Sequence, residues 1–76
     1  MTVHLRAFAR YRELLGFSEL DLPLPEPPSL ARLLEDPHLA ALPPNALLAV
    51  NQAFATPDTS LAEGDEVALM PPVSGG

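Results

Sequence analysis

Apolar and polar residues alternate along three stretches of this chain, and each stretch predicts a β-strand. Over residues 2–9, Val3, Leu5 and Ala7 fall on one side and His4, Arg6 and Phe8 on the other. That is a half-buried strand with one large aromatic on its outer side. Residues 17–24 repeat the pattern, with Leu20, Leu22 and Leu24 inward and Glu19, Asp21 and Pro23 outward. Pro23 lacks the N–H that a ladder needs, so this strand is expected at a sheet edge. Residues 66–70 alternate again, and Pro71-Pro72 then stops the sheet.

The intervening segments read differently. Residues 10–15 predict one short helical turn stopped by Gly16. The proline-rich run 25–28 is a stiff connection, and Ser29 is a good N-cap for a helix over 30–35 with Leu30, Leu33 and Leu34 in one stripe. Pro37 is expected to end that helix. Residues 45–51 are nearly all apolar, as a central strand would be, and Asn51-Gln52 turns into a short strand at 53–55. Gly64 is free to take positive φ in the turn before the last strand. The order strand, strand, helix, three strands makes an α+β two-layer domain: a mixed sheet with one main helix on one face, a β-grasp. Its expected bounds are 1–70, with 71–76 as an extended C-terminal tail.

Composition narrows the function. The 76 residues are 47% hydrophobic, with 15 leucines, enough for one small core. No apolar run approaches the roughly 20 residues a membrane helix needs, and no signal-peptide pattern precedes the first strand, so a cytoplasmic location away from membranes is expected. The net charge of −6, from 10 acidic residues against four arginines and no lysine, argues against nucleic acid and fits either a basic protein partner or a merely solvated surface. There is no cysteine, the two histidines are far apart, and the four glycines at 16, 64, 75 and 76 build no phosphate-cradling loop. No metal site, bound cofactor or active site is expected. The distinctive reactive group is the carboxylate of Gly76. The last six residues, Pro71, Pro72, Val73, Ser74, Gly75 and Gly76, are either a frayed end or a thin arm reaching at most roughly 20 Å into another protein.

The stretch Phe8-Ala9-Arg10-Tyr11-Arg12-Glu13-Leu14-Leu15-Gly16, the step Ala49-Val50-Asn51-Gln52 and the block from Gly64 to Gly76 resemble the sulfur-carrier (small) subunits of molybdopterin synthase, a ubiquitin-like family. The resemblance runs the length of the chain; the departures, a more proline-rich 23–28 and a shorter 36–44, fall in connections. It implies a ubiquitin-like β-grasp with a flexible Gly-Gly tail. Gly76 would be the reacting residue: a ubiquitin-activating-like enzyme adenylates it with ATP, and a sulfur donor converts it to a thiocarboxylate. Pro71, Pro72, Val73, Ser74 and Gly75 would carry it into the large synthase subunit, in a heterotetramer, where sulfur passes to the pterin precursor of the molybdenum cofactor. A Cβ at 75 or 76 would obstruct a tunnel that must admit bare backbone.

Strand alternation adds a reading of its own. Phe8, Ala68 and Met70, joined by Leu47 and Ala49, fall on the helix-free face, where a two-layer domain should be polar. These residues are expected to form a docking patch for both the activating enzyme and the large subunit, with Met70 adapting to either. The same tail chemistry would serve a carrier for tRNA thiolation or a thiamin-type pathway. A ubiquitin-like modifier that joins Gly76 to target lysines, and a plain β-grasp binding module, are the other readings.

Overall fold

The computed structural model describes residues 1–72. Five strands form one sheet: β1 (Thr2–Ala7), β2 (Glu19–Pro23), β3 (Leu47–Val50), β4 (Ala53–Phe54) and β5 (Glu66–Met70), in the order β2-β1-β5-β3-β4. The β1–β5 ladder is parallel and the other three are antiparallel. Val3, Leu5 and Ala7 of β1 and Val67 and Leu69 of β5 are buried on one face, under Leu30, Leu33, Leu39 and Leu61. That is the expected mixed-sheet β-grasp. Among the described residues, no helix is long and apolar enough to cross a membrane.

Three elements differ from expectation, each for a local reason. β1 ends at Ala7 rather than residue 9, because Ala9 takes a left-handed φ of 53° and turns the chain into helix α1 (Tyr11–Leu15), which Gly16 closes at φ 86°. Helix α2 spans only Leu30–Leu33, although Ser29 caps it as expected, its Oγ accepting from the Arg32 N–H at 3.2 Å. Pro37 disfavours helical backbone at Asp36, which sits at ψ 137°. The chain therefore tightens through Glu35 N–H to Arg32 O and Asp36 N–H to Leu33 O, and Pro37 opens a 3₁₀ turn, Pro37–Leu39, instead of merely ending a helix. Finally, β5 and not β3 is the central strand; β3 is interior but one place from the edge.

Two left-handed residues, Asn51 (φ 51°) and Gln52 (φ 71°), close the β3–β4 hairpin, a pairing that matches the right-handed twist of its strands. Asn51 also ties this hairpin to β5. Its N–H donates to Glu66 O at 2.8 Å, its Nδ2 to Asp65 Oδ1 at 2.9 Å, and its Oδ1 accepts from the Glu66 N–H at 3.0 Å. Asn51→Ala combines loss of these bonds with the cost of a Cβ-bearing apolar residue in left-handed backbone, about 1–3 kcal/mol together. Denaturant unfolding should show that loss, with Asn51→Gly losing less because its backbone is unstrained. Equal stability of Asn51→Ala and the parent would show that the network holds nothing.

Candidate functional site

The helices cover one sheet face and leave the other open, and strand register decides what that open face displays. One row crosses all five strands: Glu19, Arg6, Ala68, Ala49 and Phe54. On the side where β5 ends, Met70 pairs with Leu47, and Phe8 lies beside them, its N–H donating to Leu69 O at 3.1 Å. On the other side, Asp21 pairs with His4 and His4 with Glu66. The face is thus split diagonally into an acidic, charged corner and an apolar corner that meets the end of the central strand.

All five residues expected in a docking patch, Phe8, Leu47, Ala49, Ala68 and Met70, fall in that apolar corner. They differ in what they offer. Phe8 is exposed, Leu47, Ala68 and Met70 are half-buried, and Ala49 is 5% exposed without joining the core cluster, so it contributes a floor rather than a contact. Phe54, 79% exposed, belongs to the same corner and escaped the sequence reading. A two-residue strand has too little alternation to assign a face; the signal was the turn at Asn51-Gln52, which fixes Phe54 opposite Ala49. Pro71 and Pro72 follow directly from β5, half-buried and outside any strand. Val73, Ser74, Gly75 and Gly76, and with them the reacting end of the expected tail, lie outside the described residues.

The charged corner is internally paired. His4 meets Asp21 Oδ1 through Nδ1 at 2.6 Å and Glu19 Oε1 through Nε2 at 2.9 Å, so both bonds are charge-assisted only when the imidazole is protonated. Its pKa is accordingly raised above the ordinary 6.5, first by the hydrogen bond to Asp21, against a smaller opposing desolvation and with further help from Glu19. Arg6 marks the boundary, with Nη1 3.7 Å from Glu66 Oε2 and its guanidinium 5.2 Å from the centroid of the Phe8 ring. Such exposed pairs are worth about 0–1 kcal/mol each and serve more to occupy charges than to hold the fold. Among the described residues, no three His, Cys, Asp or Glu side chains gather as metal ligands.

Comparison with known proteins gives this geometry a context. A model of the ThiS family matches residues 5–76. The chain is 34% identical over 74 residues to a molybdopterin synthase sulfur carrier subunit of Arabidopsis thaliana, covering 91% of this chain and 77% of that protein. It is 39% identical over 77 residues to a protein of the same description from Dictyostelium discoideum, covering 91% and 90%. Among solved structures it resembles a chain in the complex of subunits 1 and 2 of the molybdopterin-converting factor from Helicobacter pylori, with TM-score 0.69, 25% identity and 100% of both chains covered.

A histidine whose pKa is raised on folding stabilises the fold fully below its unfolded pKa and loses that contribution as pH rises through the folded value. NMR titration should place the His4 pKa above 6.5, with stability falling slightly as pH passes from 6.5 through it. His4→Gln should flatten that slope. A folded-state pKa at or below 6.5 would contradict the pairing.

Proposed function

The chain belongs to the ThiS family, and on that footing we propose that it is the sulfur-carrier subunit of a molybdopterin synthase. The observation that carries the reading is that relatives more than 30% identical along nearly the whole chain are sulfur carriers, in a fold whose central strand ends beside an exposed apolar corner. Residues 71–76 leave from that corner, so a partner seated on it receives the tail.

The chemistry follows from what the chain lacks. A carboxylate is a poor electrophile, so a ubiquitin-activating-like partner uses ATP to convert Gly76 to an acyl-adenylate, with pyrophosphate leaving. The terminal sulfur of a persulfide displaces AMP, and reductive release from the donor leaves a thiocarboxylate. With no cysteine in the chain, this is its one nucleophilic sulfur. The large synthase subunit, in a heterotetramer, takes the tail and directs that sulfur to the pterin precursor. Val73 and Ser74 contact the walls of its tunnel, and Gly75 and Gly76 pass where a side chain would not. Phe8, Leu47, Ala68 and Met70 seat both partners in turn, and the chain itself holds no cofactor.

Deleting Gly76 should reduce sulfur transfer to the background of a large subunit working alone, while binding to that subunit persists; undiminished transfer would refute the carrier role. Met70→Glu places a carboxylate in the apolar corner, on a half-buried side chain outside the core. It should weaken both complexes about 10–100-fold at unchanged thermal midpoint, as removal of a central apolar contact does. Unchanged affinity for both partners would remove the corner from the docking surface.

A further inference from the structure

The two edges of the sheet are built differently. The outer edge of β2 carries exposed Glu19, Asp21 and Pro23, charges and a missing donor that blunt a strand against further pairing. The outer edge of β4 has no such protection: its residues are Ala53 and Phe54. The Ala55 N–H donates inward to Leu48 O at 2.9 Å, and Val50 and Ala53 flank the two-residue turn as a pair. By alternation, the N–H and C=O of Phe54 point away from β3 into solvent. Thr56, next to point outward, is already occupied, its N–H donating to Thr59 Oγ1 at 3.2 Å and its carbonyl accepting from the Thr59 N–H at 2.9 Å.

Apolar surface flanks this open backbone on both sides. On the open face stand Phe54 and Leu47. On the helix face lies a groove of about 340 Å³ between β3–β4 and the 3₁₀ turn, lined by Leu39, Leu42, Ala46, Leu48, Ala55 and Pro57 among others, with no charged side chain in its wall. In a chain of net charge −6, an uncharged groove beside an unpaired backbone donor and acceptor is a distinctive surface.

We propose that this edge and groove receive an extended, uncharged apolar segment of the large subunit, added as a short strand outside β4. Its alternate side chains drop into the groove and against Phe54. The identity of the partner rests on the function proposed above; the mode of binding rests on the edge. A strand adds at about 4.7–4.9 Å beyond its neighbour and sends successive side chains to opposite faces, which suits an edge with apolar surface on both. A second copy of this chain fits poorly, since it brings another −6 of charge and an edge equally short. Continuity also favours the large subunit: a protein seated on Phe8, Met70 and Leu47 already reaches Phe54, in the same corner.

The test is amide exchange of the full chain, alone and in complex with the large subunit, together with the affinities of three variants. Exchange at the Phe54 N–H should slow at least about tenfold in the complex. Phe54→Pro removes only the outward donor, and Pro57→Glu charges the exposed rim of the groove without touching the core; each should weaken binding about tenfold. Should Phe54→Pro prove less stable, Pro57→Glu carries the comparison. If Met70→Glu weakens the complex while the Phe54 amide stays unprotected and Pro57→Glu binds as the parent does, the edge proposal is overturned and the docking corner stands. Protection at Phe54 with Met70→Glu without effect supports the edge and overturns the corner. No complex at all with the large subunit overturns both.

Discussion

The parallel pairing of β1 with β5 is the constraint on which the rest of this structure depends. It inserts the last strand between the first and the third, so that the chain finishes in the middle of its sheet and not at an edge. Because the two strands run the same way, they end together, and Phe8 and Met70 meet where the tail begins. Val67 and Leu69, the inward residues of β5, then complete the core with Val3, Leu5 and Ala7. The same alternation that buries these side chains sends Ala68 and Met70 to the open face. A strand with one face committed to the core cannot slip by one residue without exposing its whole apolar set, so the position of the exit is as secure as the core.

The open face shows how a small domain can carry function without an active site. Its charged corner is self-paired, His4 with Asp21 and Glu19 and Arg6 with Glu66, which leaves the apolar corner as the part with contacts still to make. The core below asks for little: no polar or charged residue is buried among the described residues, and the hydroxyl of Tyr11 is the one buried side-chain polar atom there without a partner. Stability and recognition are thus divided between the two faces of one sheet.

Much of this was legible in the sequence, and the limits have physical causes. Period-two alternation assigned faces for β1, β2 and β5, and so placed Phe8, Ala68 and Met70 together, because burial on one side forces the pattern. Ser29 and Gly16 marked helix ends by capping chemistry that is wholly local. Helix α2 came out shorter than its leucine stripe implied because Pro37 acts one residue upstream, through the backbone of Asp36. Strand order was harder: an all-apolar β3 reads as central, yet interior and central strands are equally apolar, and only pairing separates them. The contacts of His4 and the exposure of Phe54 depend on register between strands, which no single segment encodes.

The account stands or falls on the chemistry of Gly76, and an intact-mass spectrum with fragmentation of the tail addresses it most directly. The protein should be purified from its native host, or after co-expression with its activating enzyme. The account predicts a mass gain equal to exchange of one oxygen for sulfur, localised to Gly76. An unmodified carboxylate in the presence of a demonstrably active activating enzyme would contradict it.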